Sequence, residues 1–127
     1  MSSVQFVEIA HHLEDAGLLW NPEIGDEVYK RKGAENVSVL VDTGGLTPPE
    51  LRDTYIWLPT VEQMVIQIEV RQAILFHAGL ELNDHTYCYK TVLKAPYGPI
   101  ECEALSFRES LGLALRDLLR FRGNDFH

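Results

Sequence analysis

Lysine and arginine are missing from the first 29 residues, and the whole 127-residue chain holds only 11 of them against 19 aspartates and glutamates. The resulting formal charge of −8 at pH 7 leaves too few cations to track a phosphate backbone, so no nucleic-acid partner is expected. No apolar run approaches the roughly 20 residues that a bilayer span needs, and no membrane partner is expected either. The opening Met1-Ser2-Ser3-Val4-Gln5-Phe6 lacks the basic start and apolar stretch of a signal peptide. Two cysteines without such a leader point to free thiols in a reducing compartment, so the chain is expected to be cytoplasmic.

Several chemistries are missing as well. His-Glu-x-x-His, Cys-x-x-Cys and Gly-x-Ser-x-Gly do not occur, and Asp42-Thr43-Gly44-Gly45 lacks the lysine of a phosphate loop. His11 and His12 are adjacent, so on a helix they point about 100° apart and cannot chelate one ion by themselves. His77, Asp84, His85 and Cys88 form the one loose group of ligand types, and a polar connection explains their spacing better than a metal does. No catalytic residue, metal or cofactor is therefore expected.

What is present is core material: 46% of the residues are hydrophobic, enough for one domain of this length to bury a core without metals or disulfides. Phe6, Ile9, Ala10 and Leu13 share one face of a helix over about residues 3–16, which Gly17 ends. Glu27 to Arg31 and Val37 to Val41 read as a hairpin turning at Gly33-Ala34-Glu35-Asn36. Tyr55 to Leu58 is a short strand stopped by Pro59. The pattern Thr60-x-x-Gln63 then caps a helix predicted to run to about Ala78, and Ser106-x-x-Glu109 caps the last one.

Between these two helices, His85 to Ala95 and Ile100 to Ser106 read as a second hairpin around Pro96-Tyr97-Gly98-Pro99. Pairing Ala95 with Ile100 places Leu93 opposite Cys102 and Lys94 opposite Glu101, with Cys88 and Cys102 on opposite faces, which excludes a disulfide. The chain reads as a single α+β domain over residues 1–127, in the order αβββαββα. Its antiparallel sheet comprises two hairpins plus a short strand, with the helices mainly on one face.

Two groups of residues are candidates for binding. The irregular stretch 42–54, with the pliable Gly44-Gly45 and with Thr47-Pro48-Pro49-Glu50 able to start a short helical turn, is either a binding loop or a plain connection. Trp20 and Trp57 each precede a chain break, where a tryptophan either plugs the end of the core or anchors an interface. Together they nominate Trp20, Asp42, Gly44, Gly45 and Trp57 as the residues of a small-ligand binder. On the 60–78 helix, Ile66, Val70 and Ile74 form a second apolar stripe that must be covered, either because the helix is central to the domain or because this face meets another chain, with a homodimer contact expected for part of it. The acidic N-terminal third suggests a third role, an antitoxin or inhibitor meeting a basic protein partner.

The second half also resembles a known group. Trp57-Leu58-Pro59-Thr60-x-x-x-Met64, followed by strands and Ser106-Phe107-Arg108-Glu109-Ser110-Leu111-x-x-Ala114-Leu115, is similar to small uncharacterised proteins encoded in bacterial and phage genomes. Trp20-x-Pro22-x-x-Gly25-Asp26 fits the same group. The resemblance covers about half the chain and implies a bacterial or phage-related origin, with no function to carry over. The closing helix is also similar to that of antitoxins built like double-stranded-RNA-binding domains, but its start lacks the basic cluster that RNA needs. The residues favour a non-enzymatic protein-association module, with the ligand binder or minor enzyme and the acidic inhibitor as alternatives.

Overall fold

Short polar caps set where the helices of this chain begin. In the computed structural model, which describes residues 3–32 and 37–124, three of them follow Ser/Thr-x-x-Glu/Gln. Thr60 accepts a hydrogen bond from the Gln63 amide while the Gln63 side chain accepts from Thr60 N–H at 2.9 Å, opening α3 (Val61–Val70). Thr47 and Glu50 make the same reciprocal pair at the start of α2 (Pro48–Thr54), and those bonds hold the Glu50 carboxyl below its ordinary pKa. Ser106 and Glu109 cap α4 (Phe107–Asn124). The first helix, α1 (Val7–Asp15), follows a 3-10 turn at Ser3–Phe6 and ends where Gly17 takes a φ of 103°.

Six strands form two antiparallel sheets. The first has the order β2-β1-β3, from β1 (Glu27–Lys30), β2 (Val37–Val39) and β3 (Tyr55–Trp57). The turn expected at residues 33–36 lies outside the described residues. The second has the order β4-β5-β6, from β4 (Ile74–Asn83), β5 (Thr86–Ala95) and β6 (Gly98–Ala104). The α+β class is as read from the sequence, with α2 and β4 as additional elements, but the strands divide between two sheets where a single one was expected, because among the described residues no strand of one sheet pairs with a strand of the other.

The presence of β4 corrects the helix predicted to run to Ala78. That helix stops at Val70, Gln72 takes a φ of 62°, and Ala73 is buried as the chain turns into the sheet. Asp84 and His85 then take φ of 49° and 70°, the paired positive values of a tight two-residue hairpin turn, and Asn83 pairs with Thr86. Ten residues of strand pairing outweigh the helical periodicity of the apolar residues, so Ile74 belongs to β4 and not to a helix face.

The second hairpin keeps its expected faces but shifts by two residues. Leu93 pairs with Ile100, Thr91 with Cys102 and Ala95 with Gly98. Pro96 and Tyr97 alone make the turn, and Gly98 takes the positive φ of 135° that closes it. A two-residue shift preserves alternation, so Cys88 and Cys102 still face opposite ways and both are free thiols.

Helix α4 covers one face of this sheet. Thr91, Leu93, Ile100, Leu111, Leu115 and Leu118 are buried there, and the Thr91 and Ser110 hydroxyls meet at 2.8 Å. Both α1 and α3 pack against α4, adding Phe6, Leu13, Met64 and Ile68 to the same core. Gly112 allows α1 its close approach, because a Cβ there would stand 2.8 Å from Ile9 Cγ2 and 3.0 Å from the Phe6 ring. A second, smaller cluster of Trp20, Val28, Leu40 and Leu51 lies under the first sheet.

Candidate functional site

The connector after α1 brings the two tryptophans to one place. Trp20 is buried, and its indole N–H donates to Asp26 Oδ2 at 2.8 Å. Trp57, at the end of β3, stands beside it in the wall of an open cleft of about 610 Å³. The cleft lies between the end of α1, the connector, α2 and β3. Two arginines that were not singled out in the sequence line it as well. Arg31 pairs with the Glu14 carboxylate and donates from Nε to the Arg52 carbonyl at 3.1 Å, while Arg52 Nε donates to the Trp20 carbonyl at 2.7 Å. Both guanidiniums thus fasten the loops around the cleft. A signal that could have found Arg31 is its place in the run Lys30-Arg31-Lys32, the first basic residues of the chain.

The glycine-rich segment is not part of this cleft. Asp42 accepts from Gly44 N–H at 2.8 Å within its own exposed turn, and Gly44 and Gly45 take positive φ there. Residues 48–54 are helical, so the irregular stretch is about half as long as its composition implied. Of the five nominated ligand residues, the fold brings Trp20 and Trp57 together and leaves Asp42, Gly44 and Gly45 apart.

The cleft has a chemistry of walls and donors. Its lining sets Leu18, Ile56 and Trp57 beside the two arginines and the carboxylates Glu14 and Asp53, with no Ser, Cys or His. The Trp57 indole nitrogen is buried without a hydrogen-bond partner. The thiols lie elsewhere. Burial and the neighbouring Asp117 push Cys102 up to about 12, and Cys88 is also raised, by desolvation and by Glu103 beside it. Neither is poised as a thiolate nucleophile at neutral pH. Among the described residues no three His, Cys, Asp or Glu side chains gather as a metal would require, and no helix is long and apolar enough to cross a membrane. His77 lies against Glu81 and Cys88 against Glu103, while Asp84 and His85 form the turn.

The acidic N-terminal run is not a single charged face. Asp26 is buried, Glu14 pairs with Arg31, and Glu27 pairs with Arg108 at 2.9 Å.

Uncovered apolar surface lies outside the cleft. Ile66 and Val70 are exposed one turn apart on α3, and Ile74 is exposed on β4 with Phe76. The larger strip is on the β4–β5 hairpin. Side chains paired across two strands share a face, so Leu80 with Tyr89 and Leu82 with Tyr87 point to the same side as the Ala78–Thr91 pair. Thr91 is covered by Ser110 of α4, but the hairpin runs on past the start of that helix. Leu80, Leu82 and Tyr87 are left 55%, 62% and 62% exposed on what is otherwise the core side of the sheet, and Leu105 is exposed too.

Fold and surface together define a single-domain α+β protein with a small cleft at one side and an overhanging apolar hairpin at another. The chain matches no protein-family model, no curated protein and no solved structure.

Proposed function

We propose that this chain acts by protein association, as a homodimer, and not by catalysis. The observation that carries this reading is the overhanging hairpin. Isolated apolar residues are normal on any surface, but Leu80, Leu82 and Tyr87 form a contiguous strip on the face that elsewhere meets the core. Such a strip exposes apolar surface at a cost of roughly 25 cal/mol per Å², which association recovers. Ile66, Val70 and Ile74 add exposed apolar area on α3 and β4. The free thiols fit a reducing cytoplasm, and the resemblance of the second half supports a bacterial or phage-related origin.

Size-exclusion chromatography with light scattering tests the reading. Twice the 14.4 kDa chain mass is expected at high micromolar concentration, falling to one chain mass in a Leu80→Ser/Leu82→Thr variant. A wild-type monomer at high micromolar concentration refutes it.

A further inference from the structure

We propose that two copies join edge to edge through β4, antiparallel about a twofold axis at Gly79, merging their three-stranded sheets into one of six strands. The inference rests on the homodimer reading and specifies its geometry.

Strand β4 is the edge of the order β4-β5-β6 and spans ten residues, Ile74–Asn83, without a proline or a lysine. Proteins blunt free edges with such residues or with bulges. The other edge strand, β6, does carry a proline, Pro99. The bulge in β4 falls between Leu75 and His77, at the end away from the hairpin turn.

The two-residue turn fixes which peptide groups are free. Asn83 and Thr86 flank it as a hydrogen-bonded pair, and bonded and non-bonded pairs alternate from there. Glu81 and Gly79 therefore spend their N–H and C=O on β5. Those of Ala78, Leu80 and Leu82 point to the open side. A twofold axis at Gly79 lets Ala78 of each copy exchange both hydrogen bonds with Leu80 of the other.

Side-chain pairing between His77 and Glu81 selects this register over its neighbours. His77 and Glu81 stand two residues either side of Gly79 on the face away from α4, and within one chain His77 Nε2 lies 3.0 Å from the Glu81 carboxylate. The axis at Gly79 sets His77 of each copy opposite Glu81 of the other, so the pair is complementary twice over. Centring the axis one residue away, at Leu80, would set Glu81 opposite Gly79 and lose both pairs. At Gly79 the facing backbones approach as a non-bonded pair, the closer kind. The absent side chain leaves that point open. A twofold perpendicular to the sheet also keeps both uncovered Leu80 and Leu82 strips on one face, where they adjoin across the junction.

Mixing two charge variants tests the register. His77→Glu makes this stretch of the strand wholly acidic, and His77→Lys/Glu81→Lys makes it wholly basic. Each alone should raise the dimer dissociation constant about tenfold, because two attractive cross-strand pairs become repulsive. An equimolar mixture should restore dimer at wild-type concentrations. If both variants dimerise as well as wild type, the register is wrong.

A cysteine scan in a Cys88→Ser/Cys102→Ala background is the second arm. Gly79→Cys is sterically allowed, since its Cβ would meet only the His77 ring at 3.5 Å, and it should form a disulfide-linked dimer under mild oxidation. Glu81→Cys should not, its twin being four residues off register. A light-scattering dimer in which Gly79→Cys fails to link overturns this interface and leaves the association reading standing. A wild-type monomer overturns both.

Discussion

Replacing Asp26 with alanine is expected to lower stability by about 3–4 kcal/mol, from three charge-assisted hydrogen bonds worth roughly 1.5–3 kcal/mol each and only partly replaced by water. Asp26 is 6% exposed, and its two oxygens are fully engaged. Oδ2 accepts from the Trp20 indole at 2.8 Å and from Glu23 N–H at 3.0 Å, and Oδ1 accepts from Gln63 Nε2 at 2.9 Å. Gln63 also closes the cap of α3, so this carboxylate ties the connector, β1 and the start of α3 to one point. Glu23 and Gln63 can turn to solvent when it goes. The buried Trp20 N–H cannot, and its orphaning supplies the largest part of the loss.

Asp26→Asn keeps one acceptor and should cost about half as much. Urea denaturation followed by tryptophan fluorescence measures both variants. In a double-mutant cycle, Trp20→Phe with Asp26→Ala should cost less than the sum of the single changes, because either one alone breaks the same bond. Additive costs would show that the Trp20–Asp26 bond contributes nothing.

That node was half legible in the sequence. Thr60-x-x-Gln63 announced a cap through its spacing, and the geometry is the one the spacing implies. That the same Gln63 reaches a carboxylate 37 positions earlier is a long-range fact no local pattern carries. The tryptophans show the same division. Their places before chain breaks marked them as structurally important, while their meeting at one cleft depends on how β3 lies beside β1.

The helix predicted to end at Ala78 failed for a related reason. Val61, Met64, Val65 and Ile68 follow a helical period that Leu75 can be read as continuing, and Ile66, Val70 and Ile74 can be read as a second stripe of the same helix. What breaks the period is the Asp84-His85 turn, which makes β4 the natural partner of β5. A polar pair between two apolar runs is a hairpin signal of the kind that marks turns, and it was there to be read. Its consequence was large, because the missed strand is the edge on which the proposed dimer rests. Parity proved more robust than register. The β5–β6 pairing moved by two residues, and every side chain stayed on its expected face.

Arg108→Ala should cost about 3–4 kcal/mol, and Arg108→Lys about 2 kcal/mol, because this one guanidinium ties the start of α4 to β1 and to the bend after β3, beside the apolar core the two halves share. From the second position of α4 it donates to the Leu58 carbonyl at 2.8 Å and the Pro59 carbonyl at 3.0 Å, and pairs with Glu27 at 2.9 Å. Its Cζ also lies 4.5 Å from the centre of the Phe6 ring. The carbonyls belong to the bend between β3 and α3, Glu27 to β1, and Phe6 to the turn before α1. A planar fork can serve all four at once. An ammonium serves one or two, so the lysine variant should recover the charge pair and lose the bend. Glu27 Oε1 is buried with this ion pair as its contact, so alanine also strands a carboxylate. Arg108→Ala combined with Glu27→Gln should therefore cost less than the two changes added. Native-state hydrogen exchange adds a spatial test. If Arg108 is the fastening, its loss should speed exchange in β1 and β3 far more than in β5, which α4 still covers through Thr91, Leu93 and Ser110. Equal acceleration in both sheets would mean that the arginine stabilises the fold globally and does not join its halves.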